Sequence, residues 1–351
     1  MSADGTTVSD STTEPGAEPA PRLSGYKLLG LALLVVVLVQ AAFVSSYVGA
    51  LHSPKPRDLQ VGVVGPAPLA AAVAKQVGFE LVPFADEAAA RDAIDHRSIE
   101  GAFISAPGGP TLLVVPAAGV AMAAGLTNAF GAGAAVAHQK LTVVQVHPLP
   151  PGDSGGATSF LVVMALVVGG YLAATISLVF GGAATRHRRL LALAIVSFIG
   201  SFVTDLIAGP VIGALPSSKF LALWAVFMLV MTAVAFSTAG LQTLFGPAGT
   251  LIVVVVFVIF GAPAAGGTVP SAFLPEFWRI FGPYLPAGAG TTAVRNTVYF
   301  GGNEIGISLL VLAGYLVAGA LVVMARRRKD AAGSSEADAE AAAAVGSAVV
   351  V

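Results

Sequence analysis

The chain has 351 residues, of which 56% are hydrophobic and only 11% are charged. A soluble globular protein usually carries about 25% charged residues, so we expect lipid to cover part of this chain. The net charge of −1 provides no basic field for binding nucleic acid. The sequence has no cysteine, which excludes disulfides, thiolate chemistry, cysteine-based metal sites and lipidation on cysteine.

The N-terminal region combines a polar tail with a long apolar run. Residues 1–24 are rich in Ser, Thr, Pro, Gly and acidic residues, which predicts a disordered cytoplasmic tail. The apolar run from Leu28 to Ala50 is long enough to cross a hydrocarbon core of about 30 Å, and we interpret residues 25–50 as the first transmembrane helix. A cleaved signal peptide is the alternative, with Val48-Gly49-Ala50 as the peptidase site. In both cases the following residues lie outside the cytoplasm.

Charged residues return at 51–156, where short apolar runs alternate with helical patterns. This alternation indicates a small extracytoplasmic α/β domain. The predicted strands are Leu59–Val64, Glu80–Phe84, Gly101–Ser105, Thr111–Val115 and Leu141–Val146. The predicted helices are Leu69–Val77, Glu87–Asp95 and Ala117–Ala137. Pro148–Gly156 is typical of a linker and leads back to the membrane.

The remainder, residues 157–325, is dominated by apolar segments. These predict a five-helix transmembrane domain, and therefore about six transmembrane helices in the whole chain. The segments are Phe160–Phe180, Leu190–Ile212, Phe220–Thr238, Leu251–Ala265 and Ile305–Met324. A loop is expected at Gly240–Gly249. Three pairs of small residues, spaced by four, would allow close helix packing within the chain or at a dimer face: Gly169/Ala173, Gly170/Ala174 and Gly314/Ala318.

The orientation follows from the basic residues near the ends of the spans. Arg22 and Lys27 precede the first span, a basic loop follows the second, and 326–329 follows the last. These three groups lie on one side only if there are six spans with both termini in the cytoplasm. We therefore predict a multi-pass protein of a bacterial plasma membrane, with 326–351 as a basic and then disordered cytoplasmic tail. The basic loop is a candidate contact for a cytoplasmic partner through Arg186, Arg188 and Arg189.

The segment 266–304, between the last two spans, is rich in Pro and Gly and also carries aromatic residues at near-helical spacing. Such a face, with Trp and Tyr, is typical of a short helix at the membrane interface or of a hairpin that re-enters the membrane. A plain extracytoplasmic loop is the alternative. The residues that define the candidate hairpin are Pro275, Phe277, Trp278, Phe281, Tyr284 and Pro286.

Asp205 is the one charged residue well inside a predicted span. Ionisable groups within spans usually face a cavity or a partner, which makes Asp205 a candidate for a substrate path, with Lys219 and Arg295 as possible counter-ions in a buried polar pair. In the alternative, Gly209-Pro210 ends the span early, and Asp205 lies near the outer interface beside Lys219.

The order of anchor, external α/β domain, five-span block and Pro-rich hairpin resembles the permeases of the type-2 ABC exporter superfamily, and most of all its YhgE/Pip-like branch. The resemblance covers about residues 28–325. The segments that carry it are Leu59–Val64, Leu241–Gly249, Gly261–Gly267, Pro270, Leu274-Pro275, Trp278, Leu285-Pro286, Arg295 and Tyr299–Gly302. It implies a dimeric six-span subunit that exports a lipid-like, peptide or drug-like substrate with a separate ATPase.

No motif for catalysis or cofactor binding is present in the sequence. There is no P-loop, no nucleophile elbow and no pair of histidines with metal-ligand spacing. We therefore expect a protein that is not an enzyme and that holds no cofactor or metal. Two functions stay open: a permease-like subunit, and a non-transporting scaffold or receptor whose external domain binds a component of the cell envelope.

Overall fold

The computed structural model describes residues 25–325, except 55, 58, 107, 181–184 and 268. The tails predicted at 1–24 and 326–351 lie outside the described residues. The first helix, α1, runs over Gly25–Leu51. Its part up to Ala41 forms one compact unit, and the chain from Ala42 onward forms a second.

Residues 59–147, here called the α/β module, contain a five-stranded sheet and three helices. The strands are β1 (Gln60–Val64), β2 (Glu80–Phe84), β3 (Gly101–Ile104), β4 (Thr111–Val114) and β5 (Thr142–Gln145). The helices are α2 (Pro68–Val77), α3 (Glu87–Asp95) and α4 (Val120–Val136). The sheet order is β2-β1-β3-β4-β5, and all neighbours are parallel except β3 and β4. The predicted strands and helices of this region are confirmed, with small shifts at their ends.

The two faces of the sheet are covered differently. Helices α2 and α4 cover one face, where Phe103 and Phe130 stack with ring centroids 5.2 Å apart. Helix α3 covers the other face, where Phe300, from far along the chain, completes the buried cluster. The α/β module therefore takes part of its core from the helical region.

The rest of the chain folds into a bundle around one central helix. The helices are α5 (Thr158–Phe180), α6 (Arg186–Leu206), α7 (Phe220–Phe245), α8 (Ala248–Val253), α9 (Gly261–Ala264), α10 (Glu276–Phe281), α11 (Pro286–Tyr299) and α12 (Gly306–Ala325). Helix α7 is central and packs against α5, α6, α8, α11 and α12. A buried helix of this kind is apolar around its whole circumference, as α7 is over most of its length.

Within the described part of the chain, five helices are long and apolar enough to cross a membrane. They are Leu29–Leu51, Thr158–Phe180, Arg186–Val211, Ser217–Phe245 and Gly306–Ala325. The span predicted at Leu251–Ala265 corresponds to a shorter apolar helix, Ala248–Ala264, whose middle (Val254–Phe260) is π-helical.

Small residues bring α7 close to its neighbours. A Cβ atom on Gly170 would lie 2.9 Å from the Met231 carbonyl oxygen, so the predicted packing role of this glycine is confirmed. Gly314 makes no close packing contact within the described chain, since nothing lies within 4 Å of its Cβ position; a role on a dimer face stays a prediction. The close contact on α12 is made instead by Gly319, whose Cβ would lie 2.3 Å from the Phe236 backbone.

The loop expected at Gly240–Gly249 is shorter in the structure, because α7 continues to Phe245 and α8 begins at Ala248, which leaves only Gly246 and Pro247 between them. Gln242 lies within this continuation and has polar partners inside the bundle. Its side-chain nitrogen, Nε2, donates to the hydroxyls of Thr175 and Thr250 at 3.2 and 2.8 Å. A polar residue at this position is therefore compatible with a continuing helix, because other helices satisfy its amide group.

Candidate functional site

Helix α11 occupies the interior of the bundle, where it packs against α5, α7 and α12. Its first half, Pro-Ala-Gly-Ala-Gly, has almost no side chains, which permits a close approach to neighbours. A Cβ atom on Gly288 would lie 2.0 Å from the Gly282 carbonyl oxygen, and one on Gly290 would lie 2.9 Å from Val163. The proline at its first position suits a helix start, because its fixed φ is already helical and it lacks a free N–H.

Arg295, in the second half of α11, is only 7% exposed. Its guanidinium donates hydrogen bonds to the carbonyl oxygens of Gly266 and Gly267, at 3.1 and 3.4 Å. No ion pair of Arg295 occurs among the described residues. A guanidinium keeps its proton at neutral pH in proteins, so Arg295 places a buried positive charge at the edge of the bundle.

Arg97 reaches α11 from the α/β module. It follows the end of α3 with a left-handed φ of 56°, and its Nη1 donates to Oδ1 of Asn296 at 2.6 Å. Its guanidinium also lies 5.1 Å from the centroid of the Phe300 ring, within the range of a cation–π contact. Burial lowers the pKa of Arg97.

Asn296 and Glu100 complete the polar surroundings of the two arginines. Asn296 is fully buried, and its Nδ2 has no hydrogen-bond partner in the described part of the chain. Glu100 accepts a hydrogen bond from the Gln60 N–H at 3.1 Å. Burial raises the pKa of Glu100, although this hydrogen bond and Arg97 act in the opposite direction.

Arg97, Glu100 and Arg295 line a cavity of about 90 Å³ between α11 and the α/β module. Its polar lining consists of Arg97, Glu100, Ser271, Thr292 and Arg295. One water molecule needs roughly 10–15 Å³ of such free space. The cavity therefore accommodates several waters or one small polar group. Two cations and one carboxylate in a confined space favour an anionic group.

The residues predicted for a buried polar pair are not brought together. Asp205, in α6, is 1% exposed, and its Oδ2 has no hydrogen-bond partner among the described residues. Neither Lys219 nor Arg295 forms an ion pair with it in the described chain. Lys219 instead directly precedes α7, and Arg295 lies in the cavity described above.

A polar stripe runs along α6, and only one of its members, Asp205, is singled out by the sequence patterns. Ser197, Ser201 and Asp205 follow one another at intervals of four and are all buried. The Oγ of Ser197, like Oδ2 of Asp205, has no partner in the described residues. The four-residue spacing is the signal that could have revealed this stripe, since such residues share one face of a helix.

The predicted cytoplasmic contact loop is divided by the structure. Arg186 begins α6, and Arg188 is exposed. Arg189 turns into the bundle, where it donates to Ser177 Oγ at 3.0 Å and to Gln242 Oε1 at 2.6 Å. Arg189 therefore connects α5, α6 and α7 rather than presenting its charge to a partner.

Three of the six candidate hairpin residues, Phe277, Trp278 and Phe281, lie on the short helix α10. Pro275 directly precedes α10, and Pro286 begins α11. Phe277, Phe281 and Tyr284 are exposed by half or slightly more. Trp278 turns the other way, packs against Gly49 and donates to Ser46 Oγ at 3.5 Å. The segment thus divides into an outward aromatic helix and the buried helix α11.

Neither protein-family models, nor curated proteins, nor solved structures match this chain. Its class follows from the architecture: a mostly helical protein with five helices suited to a membrane, and a small five-stranded sheet. Among the described residues, no three His, Asp or Glu side chains come together as a metal site.

Proposed function

We propose that the chain is a permease-like membrane subunit that works with a separate ATPase to export a lipid-like, peptide or drug-like substrate. The observation that carries this proposal is the burial of α11 between the helices of the bundle. A simple anchor has no need of a helix that enters between its spans. A transport subunit needs movable elements inside its membrane domain.

In the proposed topology, Ala248–Ala264 is a sixth span. Its 17 residues would extend about 25 Å as an α-helix, somewhat less than a hydrocarbon core of about 30 Å. The hairpin of α10 and α11 would then re-enter the membrane from the outer side. Irregular backbone at membrane depth is tolerated where it is buried in protein or lines a cavity, and Ala265, Gly266 and Pro283, between α9 and α11, line the cavity described above.

The same topology places the α/β module outside the cytoplasm and both termini inside. Since the chain has no cysteine, single cysteines introduced at exposed positions can map the sides of the membrane. The variants Lys75→Cys and Asp92→Cys should react with an impermeant maleimide added to intact cells. The variant Thr185→Cys should react only after the membrane is opened. The opposite pattern would overturn this topology.

The stripe of Ser197, Ser201 and Asp205 is the best candidate for a polar surface along a substrate path. Each of these side chains is buried within a largely apolar bundle. Ser201 Oγ donates to the Phe198 carbonyl oxygen at 3.0 Å. Ser197 Oγ and Asp205 Oδ2, in contrast, have no partner in the described residues, which is costly in such surroundings. Their presence along one helix face favours a function in transport over a function in packing.

A scaffold or receptor is the second candidate, and Arg189 favours it. Because Arg189 is held inside the bundle, the predicted contact loop has one basic residue fewer with which to bind an ATPase. In this case the α/β module would bind an envelope component, while the spans would anchor the chain and pair it with a second copy.

Gentle purification of the tagged chain from its native host separates the two functions. The permease function predicts a stoichiometric P-loop ATPase, a second copy of the chain, and ATP hydrolysis by the purified complex. Arg188→Glu should release the ATPase, whereas Arg91→Glu, a matched change in the α/β module, should not. Isolation with envelope components and without any ATPase would exclude the permease function in favour of the scaffold.

A further inference from the structure

The cavity between α11 and the α/β module contains two arginines without ion pairs. Arg97 and Arg295 both line it, and no carboxylate forms an ion pair with either in the described residues. An unpaired buried charge is costly, whereas a paired and hydrogen-bonded one is tolerated. Two guanidiniums that line one cavity without an ion pair therefore favour a compensating anion there.

The nearby carboxylates provide this compensation only in part, since Glu100 attracts Arg97 and Asp153 attracts Arg295 without an ion pair in the described residues. Glu100 lines the cavity, but its Oε2 accepts the Gln60 N–H. Asp153 accepts the N–H groups of Ala157 and Thr158 at 3.0 and 3.1 Å, and also the Tyr299 hydroxyl at 3.3 Å. Both arginines consequently retain N–H donors for another acceptor.

We propose that this cavity is a binding site for a small phosphate-type oxyanion, with Arg97 and Arg295 as its cationic ligands. The guanidinium group presents several N–H donors in a plane, a geometry that matches phosphate oxygens. The Thr292 side chain supplies a further polar group in the lining. The volume of about 90 Å³ has room for one such group.

The structure also explains why the site is formed in advance. Hydrogen bonds hold Arg295 to Gly266 and Gly267, and hold Arg97 to Asn296. Both guanidiniums are thereby fixed before the ligand arrives, which reduces the entropy lost on binding. The Asn296 amide cannot replace the anion, because it is neutral and its oxygen already accepts from Arg97.

Two sources can supply this chemistry, namely free phosphate and the headgroup of an anionic phospholipid. The probe for the first is inorganic phosphate, with binding by the detergent-purified full chain measured at constant ionic strength. The probe for the second is a nanodisc containing phosphatidylglycerol. If phosphatidylglycerol displaces phosphate the site takes the lipid headgroup, and if it does not the site takes the free anion.

Variants of the lining residues decide whether the site is real. Arg97→Gln and Arg295→Gln should each weaken phosphate binding by roughly tenfold or more, as expected for the loss of a charged hydrogen bond. Arg91→Gln, on the exposed surface of α3, is the matched control and should bind as the wild type does. Unchanged binding in both cavity variants, or no binding of either probe by the wild type, would overturn the proposal.

Glu100→Gln tests the site without removing either of the arginines that would bind phosphate. It preserves an oxygen acceptor for the Gln60 N–H and removes a negative charge from the cavity, so phosphate affinity should increase by about threefold or more. Unchanged or weaker binding by this folded variant would also count against the site, even if an arginine variant failed to fold. None of these measurements requires transport, so their outcome is separate from that of the permease function.

Discussion

Arg97 Nη1 donates a 2.6 Å hydrogen bond to Oδ1 of Asn296, across 199 positions of sequence. The bond joins the end of α3 to the buried helix α11. Asn303 Nδ2 extends the same connection by donating to the Asp95 carbonyl oxygen at 3.1 Å. Together with Phe300, which fills the core of the α/β module, these contacts make the module and α11 structurally dependent on each other.

The Arg97–Asn296 bond should show energetic coupling. Arg97→Gln and Asn296→Ala should each lower the stability of the purified protein by about 1–3 kcal/mol, because each leaves a buried polar partner unsatisfied. The double variant should lose less than the sum of the two, by roughly 0.5–3 kcal/mol. Thermal unfolding followed by tryptophan fluorescence measures this, and strictly additive losses would show that the two side chains act independently.

The close packing of α7 against α12 should depend on one glycine. Gly319→Ala would place a Cβ 2.3 Å from the Phe236 backbone and should destabilise the bundle by about 1–3 kcal/mol, as overpacking usually does. Gly314→Ala is the matched control on the same helix, since nothing lies within 4 Å of the added atom. We expect it to keep or slightly raise the melting temperature, and equal losses in the two variants would contradict the packing described here.

The two tryptophans allow the depth of α10 to be measured. Trp224→Phe leaves Trp278 as the single tryptophan of the chain, and Trp278→Phe leaves Trp224. If α10 lies at the membrane interface, Trp278 in liposomes should be quenched most by lipids labelled near the headgroup. Strongest quenching by a label at the end of the acyl chain would place α10 at the membrane centre, and quenching only by aqueous iodide would leave it as a loop in water.

Asp205→Asn tests whether the buried carboxyl group has a function. The change preserves the shape of the side chain and removes a buried charge without an ion-pair partner, so the protein level in the membrane and the melting temperature should not fall. Transport should change severalfold if Asp205 lies on the substrate path. Lys219→Gln should leave both the melting temperature and transport unchanged, because Lys219 forms no ion pair with Asp205. A loss of Asp205→Asn from the membrane would instead indicate a structural function.

Glu100 should give the stability of the protein a specific pH dependence. Burial raises its pKa in the folded state above the value in the unfolded chain, so its contribution is fully present below the ordinary glutamate pKa and is lost as the pH rises through the raised value. The amount lost is about 1.4 kcal/mol for every tenfold difference between the folded and unfolded acid constants. As the pH rises through this range, the melting temperature of Glu100→Gln should therefore exceed that of the wild type by a growing margin. A constant difference between the two melting temperatures across the range would contradict this.

The α/β module is predictable from sequence because its signals are local. The strand Glu80–Phe84 and the helix Glu87–Asp95 have the same bounds in the structure as in the prediction. Alternating and helical patterns are read within a few residues of sequence. The end of α7 is not predictable in this way, because Gln242 is too polar for a span by itself and its partners Thr175 and Arg189 come from other helices.

The candidate site is predictable only in part. The sequence indicates Arg295 as a residue of interest and predicts Asp205 as its partner. In the structure the two side chains form no ion pair. Helix α11 is not predicted as a separate element, because glycine and threonine have low intrinsic helix propensity. The small side chains that weaken that propensity are the ones that allow α11 to pack inside the bundle.

The sequence by itself determined that this chain is mostly helical, suited to a membrane, and interrupted by a small α/β module. Composition and hydrophobic periodicity carry this information, because each span and each strand is specified by neighbouring residues. Only the tertiary structure decided that Arg97 and Arg295 share one cavity and that Asp205 stands apart from both. These relationships depend on contacts between distant segments, which arise from the packing of helices and sheet and leave no periodic signal along the chain.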